Sequence, residues 1–408
     1  MLLAVRAVPD VLSQGGGRPA GPWPRRVAVA AVLVLVAVAI VHFLPRSRHP
    51  AAQPAVTGPA QPEGASGDSG VAAEPNGITS QVLPWPGSLR LPSSGDQPTW
   101  FWPATGRGAP IGGLPRQPAG YQFIRAAGGW AVQASPPVQA GCGLCAGPRR
   151  SVYFLADDAQ AAVQVGRADT VAPGTAGALW LTSYPADAEP RAAVGTAQEV
   201  SVTGRQLGPQ LRLPAGYQIE QGTDHGLLLA PVAQDSGTMP DMLWDPAPSQ
   251  PSRNFADVVA ASATEIAWAP PCAARCAVQV LNLTAGRQVS VRLPAASSVA
   301  NAAFSPDGSS LALQVNFSDD SADGEPAVQL ELASTASGHL TTVPQTWVSS
   351  NALIGFGWPA SGESLVAELT FTTKVQLASW QPGASRLAIA DLKAPQDPTA
   401  LVIGQDVP

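Results

Sequence analysis

Lysine is nearly missing from this 408-residue chain: only Lys374 and Lys393 occur, and the other 21 basic residues are Arg. Charged side chains are scarce too, at 13%. Phosphate backbones are held by grouped Lys and Arg, and no such group exists in the acidic bulk of this chain, so nucleic acid is excluded as a partner. There is no Gly-rich phosphate loop, no H-E-x-x-H and no metal-binding pair of carboxylates, so neither a cofactor nor a metal is expected. What the chain has in abundance is turn-formers, 40 Gly and 42 Pro. That composition suits short strands and many turns better than long helices. The Arg bias, with plentiful Ala, Gly and Pro, suggests a GC-rich bacterial genome of actinobacterial type.

Charge divides the chain. Residues 1–79 hold six Arg and four acids, a net of +2, which leaves −8 for the remainder. Within that first part, Val27 to Leu44 reads VAVAAVLVLVAVAIVHFL, eighteen residues with no formal charge. As a helix it spans roughly 27 Å, close to the hydrocarbon thickness of a bilayer. Pro24 and Pro45 bracket it, and Trp23 supplies an interfacial anchor. Four Arg precede the span and two follow, which places the N-terminus in the cytoplasm. A helix apolar all round is either a membrane span or the core of a large protein, and the polar linker that follows this one favours the span over a buried core helix. A cleaved signal peptide needs small residues after the apolar run, and Pro45-Arg-Ser-Arg-His-Pro50 fits that badly. The expected organisation is a short cytoplasmic tail (1–24), a transmembrane helix (25–44) touching membrane lipid through residues 27–44, a flexible Pro/Ala/Gly linker (45–79) and an extracytoplasmic domain (80–408).

The linker has almost no large apolar side chain, so it cannot bury enough surface to offset chain entropy. It contains Gly67-Asp68-Ser69-Gly70, similar to the nucleophile motif of chymotrypsin-type proteases. A triad needs a base and an orienting acid on a folded scaffold, and the following residue is Val71 rather than Gly. No catalytic residue is assigned from it.

Beyond residue 80 a hairpin pattern recurs. Alternating apolar residues and a Gly-containing turn appear at Val278 to Gly286, Val328 to Gly338, Val375 to Gly383 and Val152 to Asp158, with weaker copies near Trp100, Val200 and Met242. A second element lies between the hairpins. Phe304-Ser305-Pro306-Asp307-Gly308 and the strand to Leu313 align without gaps on Trp358 to Ala367. An aromatic ends one strand, a Gly-containing turn follows, and an apolar strand returns. Pro118-Ala-Gly-Tyr121-Gln-Phe123 echoes Pro214-Ala-Gly-Tyr217-Gln-Ile219 in the same way. Self-similarity at this period predicts an all-β fold, a β-propeller of seven blades, with six or eight as the neighbouring counts and two β-sandwiches as the alternative. Val82 to Leu91, or Ala400 to Gly404, is expected to complete a terminal blade.

The turn Phe304-Ser305-Pro306-Asp307-Gly308 resembles the repeat of TolB-type and WD-like propellers. Only this copy is close to the pattern, and Trp358 to Ala367 is a degraded second. The resemblance implies the fold and a turn role for Asp307; it transfers no active site.

The cysteines form two close pairs, Cys142-Gly-Leu-Cys145 and Cys272-Ala-Ala-Arg-Cys276. Local disulfides, one four-thiolate zinc site and thioredoxin-like redox chemistry compete. Both pairs precede an equivalent hairpin three repeats apart, so in a seven-fold ring they lie nearly opposite, beyond reach of one zinc. Two local disulfides are expected. Asp157-Asp158, and Asp319-Asp320 with Asp323, read as solvated turn charge. Trp180, Trp268, Trp358 and Trp380 fall on strand positions and read as packing between blades rather than a carbohydrate platform. The functional expectation is a non-catalytic module binding an unknown protein or small ligand on a propeller face. A propeller-fold hydrolase or lyase with its site at the central channel is the alternative.

Overall fold

The computed structural model describes Trp85, most of residues 89–392, and Ile403. The expected tail, span and linker, and the pair Cys142 and Cys145, lie outside the described residues. Among those described, no helix is long and apolar enough to cross a membrane.

The strands assemble into seven separate sheets, each built from consecutive antiparallel strands. Blade 1 covers residues 91–110, blade 2 120–168, blade 3 170–212, blade 4 217–255, blade 5 258–292, blade 6 297–349 and blade 7 353–392. Six have four strands in simple meander order, blade 6 carrying in addition the short strand Val348–Ser349 against Ala327–Ser334. Blade 1 has three among the described residues.

Alternation explains why these sheets cannot stand alone. Along Ser310–Phe317, Leu311, Leu313 and Val315 pack with Val278 and Val280 of blade 5, while Ala312 faces Leu365 and Ala367 of blade 7. Both faces of a blade are therefore apolar, and each must be covered by a neighbour. Blades 1 and 2 meet through Trp100 and Phe123, blades 2 and 3 through Val152 and Leu179, and blades 3 and 4 through Trp180 and Leu229. Leu228 and Ile266 join blades 4 and 5. The last seam joins Leu91 and Phe101 of blade 1 to Val366 and Leu377 of blade 7, with Trp85, Leu89 and Ile403 in the same cluster. The ring closes. That closure excludes two sandwiches and fixes the architecture as an all-β, seven-bladed propeller.

The repeat seen in the sequence is real but its phase differs. Val152, Val200, Met242, Val278, Val328 and Val375 all lie on the third strand of a blade, and Trp100 on the middle strand of blade 1. The Phe304 and Trp358 turns join first to second strands, between Ser297–Phe304 and Ser310–Phe317 and between Leu353–Gly357 and Leu365–Phe371. The first strands of blades 2, 3 and 4, and those of blades 5, 6 and 7, approach one another in turn around a central channel. In blade 1 the last strand, Arg107–Pro110, is largely exposed like the outer strands of blades 2 and 5, so the three described strands are the outer three. Leu91 opens the first of them, and Ile403 is buried beside the channel where an inner strand would stand.

Candidate functional site

The first strands of blades 2 to 7 end around one cavity of about 490 Å³. Its walls are mostly small residues: Ala126 to Gly128, Pro173 and Gly174, Ala260 to Ala263, and Ala302 and Ala303. Phe304, Ser305 and Pro306 of the repeat turn stand on its rim, as do Phe356, Trp358 and Ile403. Its polar side chains are Arg125, Gln221, Ser262, Asn301 and Ser305.

Backbone irregularity decides which side chains turn inward. In blades 4 to 7 the ladder between first and second strands slips by one residue, between Ile219 and Gln221, Val258 and Ala260, Val299 and Asn301, and Leu353 and Gly355. A bulge of this kind bends its strand and re-aims the next side chain. The residues just past it, Gln221, Ala260 and Asn301, line the cavity.

Arg125 is held firmly. Its Nη1 and Nη2 donate to the two carboxylate oxygens of Asp157 at 2.5 and 2.8 Å, and its guanidinium carbon lies 5.0 Å from the centre of the Trp130 ring. Arg90 backs this pair, donating to the carbonyls of Asp157 and Ala159 at 2.6 and 2.9 Å while lying over Trp100 at 4.1 Å. Burial pulls Arg90 below its ordinary pKa, opposed by Asp157 and Asp158. Asp157 thus corrects the sequence reading of solvated turn charge: the turn holds it, but its carboxylate anchors the cavity's arginine.

Ser262 is engaged by the backbone and Ser305 by its own turn. Ser262 Oγ accepts from Thr264 and Glu265 N–H at 3.3 and 3.0 Å. Ser305 Oγ donates to Asp307 at 2.7 Å and accepts from Ser310 N–H at 3.0 Å. Asp307 also accepts from Ser309 N–H at 3.0 Å, and these bonds hold its carboxyl below the usual range. Gly308 follows at φ 69°, with the buried carboxylate of Glu265 packed against it. Burial pushes Glu265 above its ordinary pKa, with Asp307 adding to the rise and the Asn282 hydrogen bond opposing it.

Glu220, the extra residue of the blade 4 bulge, keeps partial exposure although its carboxyl is crowded by protein. Burial and then the nearby Asp241 push it up to about 7. Asp241 is itself raised by burial, against the stabilising hydrogen bond from Val258 N–H at 2.8 Å.

Cys272 and Cys276 form a local disulfide with Cα atoms 5.2 Å apart, in the connection from second to third strand of blade 5. Cys142 and Cys145 fall in the corresponding connection of blade 2, three blades away. Neither Cys272 nor Cys276 lines the cavity. Trp180, Trp358 and Trp380 are buried between blades, and Trp268 packs edge-on against Phe255 at 5.0 Å. Trp358 also donates to the Ala303 carbonyl of blade 6 at 3.1 Å.

No protein-family model matches the sequence, and no curated protein does. Solved structures do. They include TolB from Acinetobacter baumannii, at 10% identity and TM-score 0.37 over 64% of this chain and 65% of that one. A protein from Lactobacillus plantarum matches at 10% identity and TM-score 0.44, over 76% and 98% of the two chains. An acylaminoacyl peptidase in complex with Z-Gly-Gly-Phe-chloromethyl ketone matches at 10% and 0.48, over 75% of this chain and 50% of that one. The likeness is one of fold alone. This chain therefore spans just under two thirds of TolB and half of the peptidase.

Proposed function

We propose that this protein is a binding and scaffolding module displayed at the outer face of a cell membrane, with the channel cavity as its ligand site. Residues 1–24 form the cytoplasmic tail, 25–44 cross the bilayer, 45–79 are the tether, and 80–408 carry the extracytoplasmic propeller. The uncharged run Val27 to Leu44 and the Arg-rich residues before it support this placement. The observation that carries the binding role is the cavity itself. Six blades contribute to it, and among the described lining residues there is no His, Cys, Asp or Glu to move a proton or act as a nucleophile. A concave, mostly apolar space with a few fixed polar groups is suited to holding a ligand.

Two arms test the reading on the full chain. Protease added to intact spheroplasts is expected to remove the propeller; protection until lysis would overturn the location. In detergent, a concentrate of the extracytoplasmic fluid is expected to raise the Tm of the wild type and leave Ala127→Trp unmoved. Ala127 is an exposed residue at the cavity wall, so this variant blocks the space without touching the core. Equal shifts in both proteins, or none in either, would contradict the binding role.

A further inference from the structure

We infer that the channel cavity selects an uncharged, hydroxyl-bearing small molecule of the pyranose class, read by Gln221 and Asn301 with Arg125 as a third donor. The inference rests on the cavity being a ligand site, and adds what it takes.

Charge comes first. Among the described lining residues the sole ionised group is Arg125, and Asp157 neutralises it through two short hydrogen bonds. A cation or anion entering such a space gives up its hydration and meets no counter-charge, which is costly. A neutral polar ligand gives up far less.

Hydrogen bonding narrows the class. Gln221 is only 6% exposed and lines the cavity, so its groups are fixed rather than waving in solvent. Its Nε2 donates to the Gly222 carbonyl at 2.8 Å, and among the described residues its Oε1 carries no hydrogen bond. Asn301 is the complement. Its Oδ1 accepts from Ala302 N–H at 2.8 Å, and among the described residues its Nδ2 carries none. One site thus offers an acceptor, the other a donor. They sit at matching places just past the bulges of blades 4 and 6, and blade 5 puts Ala260 at the same place, leaving room between them. A hydroxyl both donates and accepts, so the hydroxyls of one ring can serve both amides. A guanidinium has five N–H donors, and Arg125 spends two on Asp157, leaving others for a further oxygen. The Ala, Gly and Pro walls suit the C–H face of a ring, and about 490 Å³ is within the range of small-molecule sites.

Isothermal titration of the full chain in detergent tests this with four probes of similar ring size: glucose and N-acetylglucosamine (neutral), glucosamine (cationic) and glucuronate (anionic). The neutral pair is expected to bind, with the charged pair weaker by about tenfold or more. Asn301→Ala and Gln221→Ala should each weaken neutral binding about fivefold or more at unchanged far-ultraviolet circular dichroism. Asn301→Asp, which adds a charge without changing size, should turn the preference toward glucosamine. Charged probes binding as well as neutral ones would overturn the inference. So would neutral binding weaker than roughly 10 mM, or stronger binding by N-acetylalanine amide. If the extracytoplasmic concentrate shifts wild type but not Ala127→Trp while neutral pyranoses fail, the ligand class alone is wrong; if neither shifts the wild type, the binding role falls as well.

Discussion

At the scale of single residues, the turn at Phe304 to Gly308 shows why one local sequence carries so much fold information. Two separate observations favour Gly at position 308. Its φ of 69° is a region that L side chains rarely adopt, and a Cβ there would lie 2.9 Å from Glu265 Oε2. Gly286 separates the two, since its φ is 63° and nothing lies within 4 Å of its added Cβ. Gly286→Ala is expected to cost about 1 kcal/mol of stability, and Gly308→Ala about 2 kcal/mol or more, by urea unfolding. Equal losses would mean that the Glu265 contact is immaterial.

Glu220 gives a pH signature. Its folded pKa, about 7, lies above its ordinary value of 4.5. Below pH 4.5 the carboxyl is protonated folded or unfolded and contributes nothing. As pH rises from 4.5 to about 7 the unfolded chain ionises first, so folding loses stability, and the loss is complete above that window. Glu220→Gln should remove this slope and stabilise the protein at pH 8 by up to about 3 kcal/mol, less where solvent screens the group. An unchanged pH profile of Tm would contradict the assignment.

At the scale of elements, hairpins and turns were legible in the sequence because their signals are local. Val278 to Gly286 and Phe304 to Leu313 each hold an alternating run and a Gly turn within ten residues. The bulges were not legible. A one-residue slip at Glu220 breaks the alternation that pattern reading relies on, and it depends on how the second strand pairs. The cavity was hidden for a related reason: Arg125 and Asp157 are 32 residues apart, and Gln221 and Asn301 are brought together only by ring geometry. The end of the chain is a third case. Ala400 to Gly404 reads as an apolar strand, and the described residue within it, Ile403, is 6% exposed against Leu91 and Val366. Ile403→Ala should cost about 2–4 kcal/mol in urea unfolding, as for a large core residue. A loss below about 0.5 kcal/mol would show that this contact does not hold the seam.

At the scale of the molecule, one constraint organises the rest. Each blade has two apolar faces, so its stability depends on both neighbours, and the seam between blades 1 and 7 completes the set. Sequence similarity is too faint to carry this, since the matched structures share about a tenth of their residues with the chain. The pattern of burial carries it instead. Closure also gives the channel its walls, because the cavity draws on the first strands of six blades and on Ile403.

Amide hydrogen exchange on the full chain tests that closure most directly. Thr99–Trp102 and Leu365–Phe371, the seam strands, should be protected as strongly as Leu179–Ser183 within the ring. Ile403→Asp should lower protection at both seam strands together. Seam amides exchanging as fast as those of the exposed strand Arg107–Pro110, in the unmutated chain, would contradict a closed seven-bladed ring.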